Sequence, residues 1–494
     1  MVLNNRAGWH IVALSTATLL ALAGCATVPA TSPGPPVAVA PPPAIPAPGP
    51  PPGGPGGPPP TGATTATTNY AAAIYVAGGR YLPARSATSA VSRGEITNTS
   101  ASGFTIFVRR RDFNGVLVRG QNSVFTVSNA HITLIGDGSN DFVGLGAGAM
   151  AEGGATLILH HVDITTTGLI RSAIAASGHS ILKVYDSVLR ANGGALPPGY
   201  RFRGGPGMIS PPPGLHIGGT VRAALTMDNS RSYFYNTTII SSGWAGLSTD
   251  NANGYVYLEA DDSTIRVTGP GYGIYADNSC VDVINASNII TKTYTGIIAG
   301  VGRITLNDVH VISGANSVMI HSVMGRTSES GVLNINGGVF NTGKAVILVR
   351  SSNAQISIDG AKFHPADGTL IQSIVSDDPN RTQVNGAPTP GINVALKNMN
   401  LAGNILHQDP ERVMRLRFVN TKLRGTIEKA TIELDPSSNW TATGNSTAKL
   451  IGAVAIAQID ALPGVAITAK AGVGCHLRGS YTLKSGGVLN ISPE

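Results

Sequence analysis

Between Gly254 and Gly368 the sequence repeats itself, and that repetition limits the possible folds more than any other feature of the chain. Five similar lines can be aligned: 255–277, 280–300, 302–322, 331–351 and 354–368. In four of them an apolar–any–apolar triplet runs into a polar corner, and a second apolar residue follows five positions after the strand's end. Ile284 is answered by Ile289, Leu306 by Val311, Ile335 by Phe340 and Ile358 by Phe363. The corners carry Asn285, Asn307 with Asp308, Asn336 with Gly337 and Gly338, and Asp359 with Gly360. The first line is a looser copy, with Leu258, Asp261 beside Asp262, and Ile265. Alternation at period two marks short strands with one buried side. Asn, Asp and Gly tolerate the left-handed backbone of a sharp bend. Leu258, Ile284, Leu306, Ile335 and Ile358 are 26, 22, 29 and 23 residues apart, a solenoid period. An all-β solenoid of stacked coils is therefore expected.

The same end-plus-five rule recurs at 127–132, 159–164, 184–189, 235–240, 396–401 and 418–423, and one residue longer at 434–440. This predicts twelve coils, with more at the weaker ends. One long interruption, 192–220, holds six prolines and nine glycines. It cannot be a strand and is too long for an ordinary connection, so it is expected to project from the solenoid. Asn and Asp at equivalent corners are expected to stack into hydrogen-bonded ladders.

Residues 1–24 read as a leader for export. Arg6 precedes a largely apolar stretch, 11–22, too short to span a bilayer and suited to a signal core. The following Leu22, Ala23, Gly24 and Cys25 resemble the lipobox of bacterial lipoproteins. That resemblance implies a diacylglyceryl group on Cys25, cleavage before it, and attachment to the outer membrane through the lipid, because Ala26 rather than Asp follows. Residues 25–68 form a linker with 16 of the 32 prolines and no charge. Proline fixes φ and lacks an amide donor, so this stretch is an extended tether of on the order of 100 Å when stretched. The folded part is expected over 69–494.

Only 12% of residues are charged and 5% aromatic, against 62 glycines, which suits many thin β-layers rather than one thick core. The 34 Lys and Arg are scattered; the densest run, Arg109 to Arg111, is followed at once by Asp112. No nucleic-acid partner is expected. The central lines resemble the right-handed parallel β-helix of the pectate-lyase-like superfamily. The terminal part is similar to passenger domains of bacterial autotransporter adhesins, through Leu423-Arg424-Gly425, the 440–446 run and Tyr481 to Gly487. An autotransporter would continue into a membrane barrel; here the sequence ends at Glu494, and the lipid is the expected means of attachment.

The superfamily resemblance directs attention to carboxylates. Asp250, the adjacent Asp261 and Asp262, and Asp277 invite comparison with polygalacturonases, but the order of motifs is wrong and no Arg-x-Lys follows. These aspartates are expected to be turn residues. A calcium-dependent lyase scheme would call on Asp261, Asp262 and Asp282 with Arg266. Adjacent His160 and His161 should point different ways around a corner, and no metal or other cofactor is expected. Cys280 and Cys475 lie several coils apart and are expected to be free thiols. In the interruption, Tyr200, Arg201, Phe202 and Arg203 combine aromatic faces with cations and form a candidate glycan-binding group. The function expected is that of a surface or periplasmic protein with adhesin-like binding of a glycan, a matrix or a neighbouring cell, or a structural role, without catalysis. The alternative is a polysaccharide lyase or glycoside hydrolase acting on acidic polysaccharides. An enzyme should stack carboxylates and a cation in one groove; a binder should show rows of polar or aromatic side chains.

Overall fold

Each repeated line folds into one coil of a parallel β-helix. The computed structural model describes residues 68–205, 207–250, 254–322 and 327–494; the leader, Cys25 and most of the linker lie outside the described residues. A coil lays down three short strands, one on each of three faces. In one coil Cys280–Asn285 lies on the first face, Asn288–Thr291 on the second and Tyr294–Ala299 on the third. On every face a strand pairs in parallel with its counterparts one coil away. Cys280–Asn285, for example, lies between Val256–Asp261 and Arg303–Asn307. The first and third faces run together as a 31-stranded sheet, and the second is an eleven-stranded sheet continued by a four-stranded one.

The end-plus-five rule has a simple geometric origin. The last inward residue of a first-face strand and the first inward residue of the next strand straddle the corner. Ile239, Ile265, Ile289, Val311 and Phe340 form one register column along the second face, and all are buried. The corner itself is left-handed on successive coils: Asn129, His161, Asp186, Asn236, Asp262, Ala286 and Asp308 have φ of 46–51°. Asn and Asp reach this region at low cost; His161 and Ala286 pay a Cβ clash for it.

The expected ladders are present. Asn307 donates to Asn285 at 2.8 Å and Asn336 to Asn307 at 2.8 Å. Further along, Asn398 donates to Asp359 and Asn420 to Asn398. A second ladder lies beneath them and is made of hydroxyls. The amides of Val162, Thr237 and Ser263 donate to the hydroxyls of Ser187, Ser263 and Ser287 on the next coil. Those hydroxyls donate in turn to the carbonyls of Tyr185, Asp261 and Asn285 two residues back. Buried turn amides are satisfied in this way without a continuous strand ladder.

Antiparallel ribbons occur at both ends of the stack. Ala71–Ala77 pairs with Arg80–Tyr81 near the start, and Gly479–Thr482 folds back on Val488–Pro493 at the finish. Such ribbons interrupt an edge that would otherwise template further parallel strands.

Three expectations are corrected. The line 235–240 is out of register by one: Phe234 and Ile239 face inward, while Tyr235 and Ile240 face out. Both neighbours are apolar there, so alternation alone could not choose between them. Leu258 is also not the counterpart of Ile284, because it pairs with Asp282 whereas Ala260 pairs with Ile284. The interruption, finally, does not simply project. Val188–Asn192 includes Asn192 as its last strand residue, and from Met208 onward the loop lies over the third face, with Leu215 3% exposed.

Candidate binding face

On the outward side of the first face, register brings together residues that are far apart in sequence. His160, Tyr185, Tyr235 and Asp261 occupy one column on successive coils, and Lys183, Tyr233 and Glu259 the column beside it. The rings stack. His160 lies 4.6 Å from Tyr185 with planes 9° apart, and Tyr185 lies 5.0 Å from Tyr235 at 16°. Tyr233 continues the row beside Tyr235, with centroids 6.5 Å apart and planes at 6°. Tyr257 is tilted by 49° against Tyr233 at 5.8 Å. All five rings are half-buried, and Tyr255 at their border is 45% exposed.

Carboxylates border this row. Tyr257 donates its hydroxyl to Glu259 at 2.7 Å. Partial burial first, and then the Glu259 carboxylate, push the Tyr235 phenol up to about 12. The Tyr235 phenol therefore stays neutral and able to donate at physiological pH. A row of ordered rings edged by hydroxyls and carboxylates offers rigid amphipathic contact area at little entropic cost, since stacking has already fixed the rotamers.

A second polar cluster occupies the outward side of the third face, and its chemistry is different. Arg222 donates to Asp141 at 2.9 Å and to Asp250 at 3.1 Å. Its guanidinium lies between the rings of Phe142 and Trp244, at 4.8 and 4.7 Å. Burial opposes its charge, but the two carboxylates together hold it above its ordinary value. Burial pushes Asp250 up, against the pull of Arg222. Both carboxylates are committed to one guanidinium whose side chain is 1% exposed. The arrangement has two carboxylates and a cation, as an enzyme would need, but it is closed off as a structural ion triad.

The aspartates singled out by sequence do not converge. Asp261 ends a first-face strand and Asp262 is the left-handed corner, as expected of turn residues. Asp250 is instead the last residue of a third-face strand, held by Arg222. Asp282 departs furthest, pointing into the core between Leu258 and Ile304 with no exposed surface. It accepts from the Thr249 hydroxyl at 2.9 Å, and Oδ2 has no hydrogen-bond partner. Burial holds its carboxyl well above the usual range. Arg266 projects outward from the second face. Tyr200, Arg201, Phe202 and Arg203 lie on the outer part of the interruption, with Phe202 37% exposed. His160 belongs to the aromatic row, and His161 is a corner residue. Cys280 and Cys475 are both free and buried. Among the described residues no group of three His, Cys, Asp or Glu is placed to hold a metal.

The tyrosine row is hidden in the sequence because the line 235–240 assigns Tyr235 to the core. The available signal was the recurrence of Tyr at strand ends, Tyr185 and Tyr235, before an Asp or Asn corner and a Ser or Thr. No protein-family model matches this chain, and no curated protein matches it either.

Proposed function

We propose that this protein is a non-catalytic, adhesin-like binding protein of the bacterial envelope, held to the outer membrane by lipid on Cys25, that captures a glycan along its first face. The observation that supports this reading is the row formed by His160, Tyr185, Tyr235, Tyr233 and Tyr257. The half-buried rings suit the C–H surfaces of sugar units. The phenols, Glu259 and Asp261 supply donors and acceptors for sugar hydroxyls. The pectate-lyase-like and autotransporter-like resemblance is compatible with this role, and the Arg222 triad keeps both of its carboxylates on one buried guanidinium.

The test screens the 69–494 fragment against a polysaccharide array for both capture and chain cleavage. Capture without cleavage is expected, weakened at least tenfold by Tyr235→Ala with Tyr257→Ala in a double variant that remains folded at the assay temperature. Cleavage would make the protein an enzyme. Loss of capture on Tyr200→Ala with Arg203→Ala, but not with the tyrosine pair, would move the site to the interruption. In the full chain, Cys25→Ser should release the protein from the membrane fraction; sedimentation unchanged by that substitution would refute the lipid anchor.

A further inference from the structure

The outward side of the second face has its charge sorted by edge. From Val188–Asn192 to Val339–Thr342, six strands in register present Val188, Ile240, Ile290, Ile312 and Val339 outward. Four of these are half-buried and Ile312 is 56% exposed. No Asp or Glu lies on any of the six strands. Their charged residues are Arg190, which takes Asp163 of the preceding coil at 2.5 Å, and Arg266. The corners that lead into these strands carry Asp186, Asp262 and Asp308, all exposed, and no Lys or Arg. The turns that leave them carry Lys292 and Lys344, both exposed, and no Asp or Glu. The interruption starts at that same edge, after Asn192, and adds Arg201 and Arg203. One edge of the face is thus acidic and the other basic, with an apolar band between them.

We propose that this surface is the interface of a homodimer, in which two copies meet face to face about a two-fold axis parallel to the stack. Two kinds of axis could bring one second face onto another. An axis across the stack would set acidic corners against acidic corners, which repel. An axis along the stack sets the acidic edge of each copy against the basic edge of the other, the self-complementary pattern of an isologous contact. Without axial slip, Asp308 comes between the partner's Lys292 and the partner's Lys344, which lie one coil before it and one coil after it. Arg266, on the column nearer the basic edge, comes opposite the partner's Asp262 on the same coil. The isoleucines between the edges lose their remaining exposed surface, which favours association. The six strands and their two edges cover roughly 29 Å by 20 Å at ~4.8 Å per coil, on the order of 1,200 Å² for both copies, the lower end of a specific interface. Such a dimer leaves both first faces outside the interface, so two tyrosine rows can engage one polymer. The axis also keeps both chain starts, with their Ala71–Ala77 ribbons, at the same end.

The test is sedimentation equilibrium of the 69–494 fragment, which holds the stack with both of its terminal ribbons. Wild type should dimerise, and more weakly as salt rises. Ile312→Glu should weaken the dimer at least tenfold at an unchanged melting temperature. Asp262→Lys with Asp308→Lys gives a copy with two basic edges, and Lys292→Glu with Lys344→Glu one with two acidic edges. Each double variant should be monomeric alone, and a mixture of the two should form a heterodimer. Asp262→Asn with Asp308→Asn keeps a residue suited to the left-handed corner and should weaken the dimer at least fivefold, even if the lysine variant fails to fold. A mixture of folded variants that stays monomeric would overturn the proposal. So would a wild type that is monomeric at its highest soluble concentration, or a dimer that Ile312→Glu and the asparagine pair leave intact. Capture of monomeric wild type by phosphatidylglycerol vesicles, lost on Ile312→Glu, would assign the face to a lipid surface and overturn the dimer as well. Each of these outcomes leaves the glycan reading of the first face standing.

Discussion

The outward surfaces of the first and third faces are built from the same strand geometry and put to opposite uses. On the first face, outward residues alternate strictly with the core: Arg231, Tyr233 and Tyr235 are exposed or half-buried while Ser232 and Phe234 are buried. On the third face the alternation vanishes. All six residues of Arg222–Met227 and all six of Tyr294–Ala299 are buried. The loops make the difference. The longest connection, 193–221, runs from the second face to the third, and Leu215 within it packs with Trp244, Tyr272, Tyr294 and Met319. Among the described residues no such cover lies over the tyrosine row, whose rings are half-buried. A side chain's placement inward or outward is thus a property of its strand; whether an outward residue meets water depends on a loop tens of residues away.

Substitutions at matched positions sharpen this contrast, and the largest effect belongs to the shared core. Ile335→Asp buries an unpartnered carboxylate in the narrow stack and should prevent folding. Asn334→Asp, one residue earlier and outward on the first face, should leave the urea midpoint nearly unchanged. Equal losses at the two positions would mean that the first face is buried as the third is.

On the third face, outward substitutions should behave like core ones. Arg222→Ala strands Asp141 and Asp250 without their partner and should cost about 3–5 kcal/mol in urea unfolding. Leu215→Ala should cost about 2–5 kcal/mol, although it lies in a stretch that the sequence marks as a loop. A near-neutral Leu215→Ala would show that the interruption only drapes over the face, and the contrast with the first face would weaken.

Asp282 gives a smaller effect with a pH signature. Its folded-state pKa is raised by burial, so the folded protein keeps a proton that the unfolded chain loses above about 3.9. The stability this contributes is complete below that pH and is lost progressively as pH rises toward the folded value. Wild type should therefore melt at lower temperature as pH increases from 4 to 8, and Asp282→Asn should flatten that dependence. A slope unchanged by the substitution would mean that the core tolerates the ionised carboxylate. The smallest effect is expected at Tyr235→Ala: about 1–2 kcal/mol in stability, because the half-buried ring loses stacking on Tyr185 and Tyr233 but leaves no core cavity. A loss as large as that of Leu215→Ala would make the row a structural element rather than a binding one.

The architecture was legible in the sequence because solenoid stacking is local. Each coil rests on the one before it, so apolar alternation, the left-handed corners and the end-plus-five rule all fall within one short line. Asn285, Asn307 and Asn336 could be placed on one ladder from their spacing alone. The same patterning failed wherever two neighbouring residues could both be inward, and Phe234 against Tyr235 is the case that concealed the aromatic row. It failed again at Asp282, where a polar residue occupies an inward position that the pattern assigns to an apolar one.

What the sequence determined by itself is thus the β-helix, its corner chemistry and the approximate count of its coils, since these depend on contacts within a coil and between successive coils. Only the tertiary structure decided which outward positions form a surface. Tyr185 and Tyr235 are 50 residues apart yet stack because the interruption is looped out between their coils. Asp141, Arg222 and Asp250 meet for the same reason, from loops and strands whose spacing carries no repeat. Register across an insertion of arbitrary length leaves no periodic trace in the chain, so neither the candidate binding row nor the closed triad could be read before the coils were stacked.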